Sequence, residues 1–180
     1  MDKTKRVKKI TAQYLERAAM HYLARFSSSS ANLRLILERK VWRRVNLGAE
    51  KPDEVEQWLD DVLSKCARMG LVDDSEYALM RAKNFHKKGR GISVIKAELR
   101  HKGINEEIIH KTIELINPDG DADYNAALHL ARKKKLGKFA LKQANNADDA
   151  KKLRQKHLGV LARAGFSFQI AQEVLDFNND

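Results

Sequence analysis

Ten residues in the middle of the chain, LRHKGINEEI (99–108), return 62 positions later as LARAGFSFQI (161–170). Leu99 falls on Leu161, Gly103 on Gly165, Ile104 on Phe166, Asn105 on Ser167 and Ile108 on Ile170. The same offset lays NLRLILERK (32–40) on VIKAELRHK (94–102), with Leu33 on Ile95, Leu37 on Leu99 and Lys40 on Lys102. A chain that repeats a helix, a glycine and a second, capped helix is confined to an array of like units. Each unit is too small to bury its apolar stripes alone, so its neighbours must cover them.

Apolar residues recur at helical spacing throughout, and β-branched alternation is nearly absent. The expected fold class is therefore all-α, with about nine helices. Tyr14, Leu15, Ala18, Ala19, Tyr22, Leu23 and Phe26 share one face of the first. The hydroxyls of SSSS (27–30) compete for backbone bonds and end it, and one of them caps the second helix, whose stripe is Leu33, Ile36, Leu37 and Val41. WRRVNLGAEKPD (42–53) reads as a polar connection ending in Asp53, the expected cap of the third helix. Val55, Trp58, Leu59, Val62, Leu63, Cys66 and Met69 line that helix.

Gly70 closes the third helix. Asp73 caps the fourth, with Glu76 three residues on, and Tyr77, Met80 and Phe85 form its apolar side. Ile92, Ile95 and Leu99 form the fifth, closed by Gly103, and Asn105 caps the sixth. NPDGDAD (117–123) is a linker, followed by a helix from Asp123 to Leu136. Asp148 or Asp149 starts the eighth, Gly165 ends it, Ser167 caps the ninth and Phe177 closes it. The segments group as a basic flexible tail (1–9) and three-helix repeats over 10–70, 71–116 and 117–180.

Charge bounds the partner. The 35 Lys and Arg outnumber the 24 Asp and Glu, giving a net charge of +11, which favours a polyanion or an acidic protein surface. The charges come in blocks: 12 basic and 4 acidic over 1–50, then 3 and 8 over 51–80, then 9 and 4 over 81–115. Alternation of this kind suits a partner of mixed charge better than bare nucleic acid, because acidic blocks repel phosphates. The lone Cys66 allows no internal disulfide and fits a reducing cytoplasm. No run of about 18 apolar residues is present, so no membrane span is expected. The basic N-terminus leads into no apolar segment and does not read as a secretory signal. Neither heptads nor cysteines point to a dimer, so a monomer is expected.

The residues form no recognisable catalytic constellation, and no enzyme activity, cofactor or metal is expected. GRG (89–91) lacks the GxxxxGK[ST] spacing and follows no strand, so it reads as a turn between helices. His21, His86, His101, His110, His129 and His157 do not stand at metal-ligand spacing. His157, four residues from both Leu153 and Leu161, reads as a packing residue. Asp60/Asp61 and Asp73/Asp74 read as helix surface and cap.

The remaining candidates are basic side chains that recur with the repeat. Lys87, Lys88 and Arg90 stand at the quoted turn, and Lys96, Arg100 and Lys102 lie on or at the end of the helix after it. Arg34, Arg39, Lys40, Arg43 and Arg44 hold the corresponding place in the first unit. These eleven are the expected partner- or DNA-binding residues.

AMHYLARF (19–26), GLVDDSEYAL (70–79), GRGISVIKAELRHKGI (89–104) and ARAGFS (162–167) resemble, in order and spacing, the signatures of the RecX family of bacterial RecA regulators. The likeness runs from about residue 12 to 176. It implies an elongated, curved all-α array of three tandem three-helix repeats. It also implies binding along the groove of the RecA–DNA nucleoprotein filament and inhibition of strand exchange, ATP hydrolysis and co-protease activity, hence a part in DNA repair, recombination and the SOS response. Binding to single- or double-stranded DNA is implied as well. The alternative from the residues alone is a sequence-nonspecific DNA-binding module or a helix-turn-helix transcription regulator. A major-groove reader, however, needs a dimer or one dominant recognition helix, whereas basic character here is spread over the repeats.

Overall fold

The computed structural model describes residues 8–141 and 146–176. Among the described residues there are nine α-helices and no strand. The first three are α1 (Ala12–Leu23), α2 (Ser30–Asn46) and α3 (Val55–Arg68). The next three are α4 (Asp74–Lys87), α5 (Ile92–His101) and α6 (Glu106–Ile116). A last group holds α7 (Ala122–Lys134), a 3-10 turn (Gly137–Phe139), α8 (Ala147–Ala164) and α9 (Phe168–Asp176). The class is the all-α helical repeat that the periodicity requires. The chain forms two compact units, one of Met1–Tyr77 with Lys102–Ile104, the other of Ala78–His101 with Asn105–Asp180.

The core of the first unit is built from the expected stripes. Leu15 and Ala19 of α1, Leu33, Leu37 and Val41 of α2, and Leu59, Val62 and Cys66 of α3 are buried together. Burial pushes the Cys66 thiol up, which keeps it protonated and unreactive. In the second unit Ala126, Ala127 and Ala131 make a small-residue face on α7 that packs with Leu161, Phe166, Val174 and Leu175. Ile95 and Leu99 of α5 are fully buried, as their stripe predicts.

Several boundaries differ from the periodicity. α2 runs on through Asn46, because Val45 extends the 37–41 stripe by one more turn and packs against the core. Trp42, Arg43 and Arg44 are therefore helical and not part of a connection. Asp53 does not cap α3; Glu54 stands there without a side-chain bond, and the Val55 N–H donates to the carbonyl of Pro52 instead. α8 is capped by Asn146, whose Oδ1 accepts from the Asp149 N–H at 2.8 Å, while Asp148 and Asp149 lie in the first turn, where negative charge complements the helix dipole. Phe26, Met69 and Met80 are exposed: Phe26 lies beyond the end of α1, Met69 at the cap of α3, and Met80 off the Tyr77–Ala78–Ala82 face. The expected closure of α9 at Phe177, and residues 1–7 of the expected tail, lie outside the described residues.

A device absent from the sequence reading joins each helix triplet to the next. The N–H of Ser30, at the start of α2, donates to Oδ1 of Asp74 in the first turn of α4 at 2.7 Å. The N–H of Ile92, at the start of α5, donates to Oδ1 of Asp123 in the first turn of α7 at 2.8 Å. Ser30 and Ile92 are equivalent under the 62-residue offset. A second link repeats beside it. The carbonyl of Lys102 accepts from Ser29 Oγ at 2.5 Å, and its equivalent, the carbonyl of Ala164, accepts from the Gly91 N–H at 2.8 Å.

The glycines after those carbonyls allow the approach. Gly103 and Gly165 take φ of +71° and +96°, as their positions at helix ends predict. A Cβ on Gly103 would sit 2.3 Å from that of Ala31, and one on Gly165 would sit 2.5 Å from Cγ2 of Val94. The starts of α2 and α5 thus each receive a carboxylate and a glycine turn from the following triplet, whereas α8 is capped locally by Asn146. α1, in contrast to α4 and α7, has no acidic residue in its first turn and is capped locally by Thr11.

The two carboxylate caps differ in one respect. Ser29 Oγ also accepts from the Asn32 N–H, so α2 has a local cap besides Asp74. Gly91 has no side chain to play that part for α5. Asp123→Ala should therefore cost about 1–2 kcal/mol in urea denaturation and Asp74→Ala less, within the range known for lost N-caps. Leu99→Ala should cost about 2–5 kcal/mol by the same measurement. Equal costs for the two aspartates would contradict the local-cap argument.

Candidate partner-binding surface

The turn from α4 to α5 presents three cations on a fixed backbone. The N–H of Gly89 donates to the His86 carbonyl at 2.8 Å and that of Arg90 to the Phe85 carbonyl at 3.1 Å, which closes the end of α4. Lys87, Lys88 and Arg90 all point outward and are exposed. Gly91 is buried, and a Cβ there would lie 2.5 Å from the Gly165 carbonyl oxygen. The Gly91 and Ile92 amides are already given to Ala164 and Asp123, so this turn cannot offer them to a phosphate. GRG is a turn between helices, as its spacing indicates.

The other candidate cations separate according to their partners. The Arg34 guanidinium meets three carboxylates: Nε to Glu38 at 3.0 Å, Nη2 to Glu56 at 3.1 Å, and Nη1 to Asp60. The Asp60 hydrogen bond raises its pKa further, and the cluster ties α2 to α3. Arg100 grips Glu106 with two bonds, of 2.6 and 3.0 Å, and this contact holds the Glu106 carboxyl below its ordinary value. Arg44 lies 3.3 Å over the ring of Tyr14 and donates to the carbonyls of Lys8 and Lys9 at 3.2 and 2.5 Å. That contact orders the two residues just before Ile10, which is itself buried.

Lys40, Lys96 and Lys102 are half-buried, and the Lys102 carbonyl serves the link to Ser29. Arg39 and Arg43 are exposed. Of the eleven residues, Arg39, Arg43, Lys87, Lys88 and Arg90 are thus exposed and form no salt bridge with any described residue. Arg34, Arg44 and Arg100 are engaged in holding the fold.

Sequence reasoning missed an apolar groove between α2 and α3, about 280 Å³ in volume. Val41, Trp42, Val45, Val55 and Leu59 line it, and Glu38, Lys51 and Glu56 stand at its edge. Trp42 is 67% exposed. A tryptophan inside a stretch otherwise read as a polar connection was the available signal.

His157 is buried in α8, and its Nδ1 accepts from the Gly137 N–H at 3.0 Å. Burial, aided by Lys156, pushes its pKa below the ordinary 6.5. No group of three or more His, Cys, Asp and Glu among the described residues is placed to hold a metal ion. No described helix is long and apolar enough to cross a membrane.

These features define an all-α helical-repeat protein whose charged surface is divided between fold-holding pairs and exposed cations. The family model described as RecX, second three-helix domain, matches residues 73–113, which span α4 to α6. The chain is similar to the regulatory protein RecX of Myxococcus xanthus (strain DK1622), 36% identical over 174 residues, covering 97% of this chain and 90% of that one. It is also similar to the regulatory protein RecX of Mycobacterium sp. (strain JLS), 28% identical over 164 residues, covering 89% and 81%. The crystal structure of RecX from Lactobacillus salivarius shares the fold, with a TM-score of 0.65 at 20% identity over 92% of this chain and 96% of that one. The chain belongs to the RecX family of regulatory proteins.

The His157 contact has a pH signature. Its folded pKa lies below its unfolded one, so the unfolded chain takes up the proton first as pH falls. The stability carried by the neutral ring is complete above about pH 6.5 and is lost as pH drops from there through the folded value. His157→Gln should flatten this dependence when urea midpoints at about pH 7.5 and 5.5 are compared. An unchanged slope would mean that burial beside Lys156 does not hold the His157 ring neutral.

Proposed function

We propose that the chain binds the RecA–DNA nucleoprotein filament and inhibits RecA's ATPase, strand-exchange and co-protease activities, thereby tempering recombination and DNA repair. It acts by binding, as a monomer in the cytoplasm, without cofactor or catalysis. Membership of a family of regulatory proteins supports this reading. The observation that carries it is that successive triplets each present exposed cations, Arg39 and Arg43 in the second half of α2 and then Lys87, Lys88 and Arg90 at the α4–α5 turn, with an acidic block between them in the sequence. A repeating partner surface of mixed charge is met by such units in succession. The three repeats, over 10–70, 71–116 and 117–180, are the units of that engagement.

Binding to DNA alone is the second reading, favoured by the net charge of +11. The two separate when filaments are formed first, the protein is titrated in, and single-stranded DNA is then added. A filament regulator suppresses the ATPase while no bare lattice remains, and added DNA leaves the inhibition in place. Inhibition that follows free DNA would move the assignment to the second reading. The triple reversal Lys87→Glu, Lys88→Glu and Arg90→Glu should slow association with the filament and weaken inhibition at moderate salt, because opposed fields steer the encounter. Circular dichroism should not change, since the three lie off the apolar stripe. Full inhibition by this variant would remove the turn from the binding surface.

A further inference from the structure

The last turn of α7 and the residues after it carry five cations within seven positions: Arg132, Lys133, Lys134, Lys135 and Lys138. All five are exposed. Arg132, Lys133, Lys134 and Lys135 form no salt bridge with any described residue. Arg132 and Lys138 lie over the half-buried ring of Phe139, at 5.5 and 5.2 Å from its centre. The sequence holds no aspartate or glutamate between Asp123 and Asp148.

A bland cause is available for part of this cluster. The carbonyl end of a helix attracts cations, within its last turn. Lys135 needs another explanation. It stands just past the helix with φ 56° and ψ 52°, the one non-glycine residue of positive φ among the described residues. A side chain in that conformation costs about 1–2 kcal/mol. After α3, α5 and α8 the left-handed residue is a glycine: Gly70, Gly103 and Gly165. Here the cheaper residue is replaced by a lysine.

The backbone beneath the cluster is held firmly. The Leu136 N–H donates to the Ala131 carbonyl at 2.9 Å, and the Leu136 side chain is buried. The Gly137 N–H is held by His157, and a Cβ on Gly137 would collide with the backbone of Leu175. Cations retained at a conformational cost, on a rigid support and without acidic neighbours in the sequence, form an electropositive site that asks for a ligand.

We propose that this turn binds the phosphodiester backbone of nucleic acid, through Lys133, Lys134, Lys135 and Lys138, as a site separate from the cations of α2 and of the α4–α5 turn. A nucleic-acid strand is a line of closely spaced anions with no cation among them, and so complements an unbroken basic run. An acidic protein surface usually carries both signs and would leave some of these lysines facing like charge. The proposal rests on the second reading, binding to DNA, and deepens it by assigning that binding to the turn after α7; it requires no RecA.

Lys135→Gly is the decisive variant, since it removes a charge and relieves the backbone together. Its thermal midpoint should rise. Its affinity for fluorescent single- and double-stranded oligonucleotides should fall about fivefold at 0.1 M salt, because log K changes by about 0.7 to 0.9 per phosphate contact per decade of salt. The slope of log K against log salt should shrink by about the same 0.7 to 0.9. Adding Lys133→Gln and Lys134→Gln should deepen both losses, while Lys87→Gln with Lys88→Gln should leave them smaller. A raised midpoint with unaltered affinity would overturn the proposal and make the lysine run a solvated helix end. Displacement of the oligonucleotide by polyglutamate at equal charge would overturn it in favour of an acidic protein partner. No RecA enters the assay, so failure here leaves the filament reading untouched.

Discussion

The N–H of Ile92 depends on a carboxylate from another triplet. Helix N-termini carry donors that the helix cannot satisfy, and a side chain just before the first turn ordinarily takes one of them. At α5 that position is Gly91, which must be glycine because the Gly165 carbonyl approaches so closely. The close approach removes the local cap, and Asp123 supplies it from α7. Burial pushes the Asp123 carboxyl upward, and the Ile92 N–H and His86 offset part of that rise by favouring its charged form. At α2 the same register recurs with Ser29 in place of Gly91, and Ser29 both caps its own helix and donates to Lys102. One geometry and two chemistries have the same consequence: the first and second triplets are each completed by the one that follows.

The charged surface follows from that scaffold. A basic residue on a repeat can tie its own helices together or face outward, and the structure separates Arg34, Arg44 and Arg100 from Arg39, Arg43, Lys87, Lys88 and Arg90 on this ground. Arg34, Arg44 and Arg100 are spent inside their units, on carboxylates, a tyrosine ring and backbone carbonyls. Exposed ion pairs of this kind contribute little stability singly, but Arg34 gathers three carboxylates around one planar group and fixes the α2–α3 edge. The cations that remain outward stand at turns and on the far side of α2, where no apolar stripe claims the position. Rigidity under the α4–α5 turn matters for the same reason: a charge on a fixed backbone loses less freedom on binding.

Much of this was legible in the sequence, and the reasons are local. The 62-residue offset placed Leu99, Leu161, Gly103 and Gly165 correctly, because apolar periodicity and left-handed glycine caps are short-range signals. The Ser29, Asn105 and Ser167 caps followed for the same reason. What failed was decided by tertiary packing. Asp123 read as a helix start because its partner, Ile92, lies 31 residues earlier. The two interlocking aspartates are 49 positions apart, not 62, so the repeat alignment could not pair them. The extra turn of α2 was hidden because Trp42, Arg43 and Arg44 look like a connection until Val45 is seen to pack. Among the basic residues, composition could not distinguish Arg34, enclosed by carboxylates of α2 and α3, from Arg39 five positions later, which faces outward.

α2 and α5 are each held at their start by the triplet that follows. Native-state hydrogen exchange at the Ile92 amide tests this directly, compared between the natural chain and Asp123→Ala. The account predicts that protection at Ile92 and through the first turn of α5 is lost in the variant, while amides of α1 and α3 exchange as before. Unchanged protection at Ile92 would contradict it, and would mean that α5 keeps its start without the carboxylate of α7.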